Sequence, residues 1–182
     1  MYCFCVWFCR SEHGRRCFWG TKLVQTLQYV SSVTNMAGVF GGAESFNQDI
    51  GSWDVGNVTN MTSMFGNAKS FNQNISGWDV SNLTNMTGMF AVSGFNQDIS
   101  NWDVSGVTTM ESMFFSNTVF NQDIGSWDVS NVANMNNMFW FADAFNQDLT
   151  QWCVSNISTI PDYFSAESGL AAGNHPLWGT CP

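Results

Sequence analysis

Carboxylates set at a fixed interval are the residues of this 182-residue chain best suited to chemistry. Asp54, Asp79, Asp103 and Asp128 recur every 24 or 25 residues, and Cys153 ends the series. A second acidic row, Asp49, Asp98, Asp123 and Asp148, is interrupted by Asn74. If the first set projects from one face at ~4.8 Å per step, the spacing of adjacent strands, each neighbouring pair repels by roughly 0.8 kcal/mol in water. Such a column raises its own pKa values or attracts cations.

Three readings of the column stay open. In the first, each Asp accepts hydrogen bonds within its own turn, where Ser81, Ser105 and Ser130 follow two residues later. In the second, successive carboxylates hold calcium, although the D-x-[DN]-x-[DN]-G loop and the glycine-rich calcium nonapeptide are both absent. In the third, the column is an acidic recognition surface for a basic protein or a polar glycan.

Catalysis finds little to stand on. The only histidines are His13 and His175, and no G-x-S-x-G, P-loop, G-x-G-x-x-G or H-E-x-x-H motif occurs. Paired carboxylates hydrolyse glycosides, and Asp49 with Asp54 forms such a pair. The pairing recurs at Asp98 with Asp103 and at Asp123 with Asp128, however, and so belongs to the scaffold. The sequence therefore reads as non-enzymatic, with a glycan hydrolase as the lesser alternative. Six N-x-[ST] sequons, at Asn57, Asn60, Asn74, Asn82, Asn85 and Asn156, are by-products of the same repeat.

The elements that must position these residues are copies of one unit. Trp53, Trp78, Trp102, Trp127 and Trp152 are 25, 24, 25 and 25 residues apart, and Phe46, Phe71, Phe95, Phe120 and Phe145 keep the same spacings. Trp53 and Val55 alternate with Asp54 as on a short strand. Val58, Met61, Met64 and Phe65 follow i, i+3, i+6, i+7, one face of a short helix. The expected fold is an α/β solenoid, a leucine-rich-repeat-like stack of short parallel strands and short helical turns with a C-terminal cap. Trp, Phe, Met and Val columns would fill its interior, making core packing a better account of nine repeat methionines than a soft-metal site. Asn47, Asn72, Asn96, Asn121 and Asn146 would form an amide ladder.

The composition agrees with an array, since 45% of residues are hydrophobic and only 10% charged. Residues 1–22 carry four bases against one acid, whereas the rest carries Lys69 against 13 acids, for a net charge of −9. That balance argues against nucleic acid. The expected division is an irregular leader at 1–29 rich in cysteine and aromatics, repeats over 30–151 and a capping unit at 152–182. The leader's Cys3, Cys5, Cys9, Cys17 and His13 lack paired metal-ligand spacing. Its basic residues follow the apolar run, unlike a signal peptide, and residues 1–9 are too short to cross a bilayer.

The tract F-N-Q-D-I-x-x-W-D-V-S-N-V-T-N-M-x-x-M-F, repeated about five times, resembles the repeat of BspA-like leucine-rich-repeat surface proteins. The ending Trp152-Cys153-Val154-Ser155-Asn156-Ile157, followed by Asp162-Tyr163-Phe164-Ser165 and Pro176-Leu177-Trp178-Gly179-Thr180-Cys181-Pro182, is similar to the closing unit of bacterial members. The resemblance implies a monomeric extracellular or surface module for adhesion, with a protein or glycan partner and no catalytic residues or cofactor. With it comes an expected disulfide between Cys153 and Cys181, folding the tail over the last turn. The alternative is that both thiols stay reduced and merely pack.

Overall fold

The computed structural model describes residues 30–182. The leader, with its thiols and His13, lies outside the described residues. From Val30 onward the 25-residue unit becomes one turn of a stack, each turn hydrogen-bonded to the next. Parallel bridges join Asn35 to Asn60, Asn60 to Asn85, Asn85 to Thr109 and Thr109 to Asn134. On one side of each bridge the Thr84 amide donates to the Thr59 carbonyl at 3.0 Å, and on the other the Met61 amide donates to the Asn85 carbonyl at 3.2 Å.

The expected α/β architecture is not what forms. Among the described residues the only helical pieces are two 3₁₀ turns, Val30–Ser32 and Ala172–Asn174, and the bridges stand isolated instead of merging into a sheet. The W-D-V stretch, expected as a strand, is held by turns: the Trp53 amide donates to Ile50 and the Val58 amide to Val55. The pairing falls instead on the T-N-M stretch that was expected to open a helix. Burial still alternates along W-D-V, with Trp53 and Val55 buried and Asp54 exposed.

The helix fails for a reason visible residue by residue. The Met64 amide donates to Met61, Gly66 to Ser63 and Ala68 to Phe65, all across three residues. Ser63 and Asn67 have φ of 50° and 60°, the left-handed conformation that the third position of a type II turn needs. A helical path cannot pass through them. Between these turns the amides of Met61, Ser63, Phe65 and Asn67 donate to the next unit, and Thr62 donates to the Asn60 side chain. Every amide from Met61 to Ala68 therefore has a partner without helix or sheet. A spacing of three marks turn closure as well as a helical face, and sequence periodicity alone does not separate the two.

Left-handed residues form two columns along the stack. One runs Gly38, Ser63, Gly88, Ser112, Asn137 and Tyr163; the other runs Gly42, Asn67, Val92, Ser116, Phe141 and Glu167. In the final unit the register slips by one residue, since the Asn137 amide meets the Asp162 carbonyl whereas the Ser112 amide meets that of Asn136.

The interior is a set of like-residue columns. Phe65, Phe90, Phe114 and Phe139 stack at 5.6 to 5.8 Å between centroids, and each lies 3.9 to 4.1 Å from the second Phe of its own unit. The register slip ends this order, because Phe164 meets Phe139 edge-on at 88°. The Trp column is buried and bonded: the indoles of Trp78, Trp102, Trp127 and Trp152 donate to the carbonyls of Ile50, Ile75, Ile99 and Ile124. An indole that packs its rings and places its N–H removes the cost of a buried donor.

One repeat is a residue short, between Phe90 and Phe95. Gly94 lies in this shortened stretch, packed so closely on the Lys69 carbonyl that a Cβ would collide with it. Ser93 and Asn117 then fill interior places taken by Ala68 and Ala142 in other units, and both are buried. The Asn117 amide donates to Phe95 O and its oxygen accepts from Phe120 N, so the polar pair is satisfied.

The tail covers the last turn. Leu149 N donates to Asn174 O and Val154 N to Thr180 O, while Trp178 packs edge-on against Phe164 at 4.9 Å. Cys153 and Cys181 are joined in a disulfide across 28 residues.

Candidate recognition surface

The Asp column is exposed along its whole length, at Asp54, Asp79, Asp103 and Asp128. Each carboxylate nevertheless turns to its own backbone two residues ahead. Asp54 accepts from Gly56 N, Asp79 from the Ser81 hydroxyl at 2.6 Å and amide at 3.1 Å, Asp103 from both groups of Ser105, and Asp128 from Ser130 N. At Asp79 and Asp128 the upward shift expected from repulsion is not found. The Ser81 hydroxyl, then its amide, hold Asp79 below the usual carboxylate range, and Ser130 does the same for Asp128. Short donors on the charged form outweigh neighbouring charges set in water.

The second row behaves alike. Asp49 accepts from Gly51 N and Asp123 from Gly125 N, while Asn74, in the gap, accepts from Ser76. Ser100 and Thr150, through their amides first and hydroxyls second, hold Asp98 and Asp148 low. Among the described residues no three His, Cys, Asp or Glu side chains come together as a metal site. The calcium reading gains nothing from this geometry.

The Asn residues bridge turns. The side-chain oxygen of Asn47 accepts from Asn72 N at 2.9 Å and Gln73 Nε2 at 3.0 Å; Asn72, Asn96 and Asn121 repeat the arrangement, and Asn146 accepts from Ala171 N and Asn174 Nδ2. These amides are occupied in the scaffold. In the cap, Ser165 Oγ lies 3.2 Å from His175 Nε2, and burial pushes the imidazole pKa down.

A further surface, which the repeat pattern does not mark, lies on the edge carrying the left-handed columns. There Gly66 and Asn67 are followed one unit later by Ala91 and Val92, then by Phe115 and Ser116, then by Trp140 and Phe141. The backbone register sets these positions in line: Val92 N donates to Phe115 O and Ser116 N to Trp140 O, each at 2.7 Å. Trp140 stacks on Tyr163 at 4.7 Å and 20°, Phe115 lies 5.4 Å from Trp140, and Phe141 lies 5.1 Å from Trp140. Phe115 and Trp140 are half-buried, while Phe141 is 40% and Tyr163 60% exposed.

Nothing in the repeat demands aromatics here, and at two places the backbone opposes them. Phe141 and Tyr163 have φ of 58° and 52°, where bulky side chains are outliers costing roughly 1–3 kcal/mol each. The signal was present in the sequence as a departure from the unit: bulky residues at positions the consensus leaves variable.

The family described as "Mycoplasma protein of unknown function, DUF285" matches residues 20–94 and again 91–174. No curated protein and no solved structure matches the chain.

Proposed function

The chain belongs to the DUF285 family, and from that premise we propose that it is a non-catalytic recognition module, similar to BspA-like surface proteins, which binds a protein or glycan outside the cell. The observation that carries the reading is the aromatic edge of Phe115, Trp140, Phe141 and Tyr163. Four aromatic rings held partly in water, two on backbone that disfavours them, are retained for a partner instead of for the core. The bond between Cys153 and Cys181 suits an oxidising location such as a surface or secreted setting. A net charge of −9 suits partners other than nucleic acid.

The test is a binding screen on immobilised proteins and polysaccharides with the wild-type chain and a variant carrying Phe115→Ala, Trp140→Ala, Phe141→Asn and Tyr163→Asn together. Saturable binding by the wild type that the variant loses, without release of reducing ends, supports the module. Release of reducing ends from any polysaccharide contradicts it and favours a hydrolase, and binding that the variant retains in full removes the aromatic edge from the reading.

A further inference from the structure

The chemistry surrounding the aromatic edge narrows its partner. Asp162 directly precedes Tyr163, and its backbone carbonyl is bonded by the Asn137 amide in the adjacent turn. Glu167 occupies the final unit's left-handed position in the column of Phe141, and the Phe141 amide donates to Ala166 beside it. Both acids are exposed. Among the described residues the only Lys or Arg is Lys69, which is paired with Glu44 at 3.0 Å at the opposite end of the array.

We propose, building on the recognition reading above, that this edge binds an extended, arginine- or lysine-bearing segment of a partner protein, whose side-chain cations lie against Trp140 and Tyr163 and pair with Asp162 and Glu167. Trp is the best side-chain partner for a cation, and guanidinium groups stack on aromatic planes while offering a fork to carboxylates. An anionic partner is repelled. A neutral glycan would stack on the rings and donate hydroxyls to the carboxylates, but it would bring no positive charge to them.

The experiment is isothermal titration of the full chain with an arginine-rich octapeptide, and separately with a neutral oligosaccharide such as chitotetraose. Three variants accompany it: Trp140→Ala, Asp162→Asn with Glu167→Gln, and a distant pair of equal charge change, Asp54→Asn with Asp79→Asn. Unfolding midpoints confirm that each is folded, and Trp140→Phe, which keeps a ring, serves as rescue. Expected is one-site peptide binding weakened about tenfold by Trp140→Ala and by the near pair, changed less than about twofold by the distant pair, and partly restored by Trp140→Phe.

Equal loss from the near and distant pairs would overturn the proposal, because general attraction to an acidic array would explain it. Chitotetraose bound at Trp140 in place of the peptide would overturn the basic-segment assignment and leave the recognition reading standing. Peptide binding indifferent to Trp140→Ala would remove the aromatic edge from both.

Discussion

The two ends of one edge obey different rules. Along residues 38–92 the left-handed columns and the position before the second of them hold Gly38, Gly41, Gly42, Ser63, Gly66, Asn67, Gly88, Ala91 and Val92; along residues 112–167 the equivalent places hold Ser112, Phe115, Ser116, Asn137, Trp140, Phe141, Tyr163, Ala166 and Glu167, four of them aromatic. Both halves share the same turns, the same inter-turn amides and the same Phe and Trp columns. The stack therefore forms with small residues on that edge, and in the recognition reading proposed above the aromatics at the C-terminal end serve a partner. In a repeat array, what is copied into every unit holds the fold, and what departs in a few units is where function is free to enter.

The largest effect expected is on a column residue. Trp102 is 4% exposed and donates to Ile75 O, so Trp102→Ala should lower unfolding free energy by roughly 3 to 5 kcal/mol through the cavity and the lost indole bond. A denaturant midpoint close to that of wild type would remove the Trp column from the core. Next comes the cap. Cys181→Ser opens a loop of 28 residues and should cost about 3 kcal/mol, with the loss confined to the C-terminal turns in amide hydrogen exchange. Uniform loss of protection back to Asn35 would mean that the stack unfolds only as a whole.

A smaller effect concerns acid. Asp79, Asp98, Asp128 and Asp148 have lowered pKa values. Each contributes stability that is present above its unfolded pKa and is lost as the pH falls through its folded value. The array should weaken below about pH 4. Asp79→Asn with Asp128→Asn should flatten that dependence slightly, since both groups sit in water where such bonds count for little. An unchanged acid transition in the double variant would show that the turn bonds do not matter.

How far the sequence shows the fold depends on what repeats. The 25-residue period shows which residues share a column, because identical side chains at identical intervals can be buried only by stacking. It does not show the backbone path within a unit. Met61, Met64 and Phe65 have helical spacing, yet Ser63 among them and Asn67 just beyond are left-handed, and neither Ser nor Asn advertises that conformation as Gly38, Gly42 and Gly88 do. The Asp column is legible as a row of exposed acids, but the Ser81 and Ser130 bonds that tame its charge depend on turn geometry. The aromatic edge escapes because Tyr163 reaches Trp140 only after the one-residue slip in the final unit.

The separation of fold from recognition is tested most directly by equilibrium unfolding of the chain carrying Phe115→Ala, Trp140→Ala, Phe141→Asn and Tyr163→Asn. Earlier units hold Ala91, Asn67 and Asn137 at matching places, and Asn relieves two left-handed aromatics. The four changes together should leave one cooperative transition and cost about 1 to 2 kcal/mol, less than Trp102→Ala alone. Loss of the cooperative transition, or a cost equal to that of Trp102→Ala, would show that the aromatic edge belongs to the fold after all.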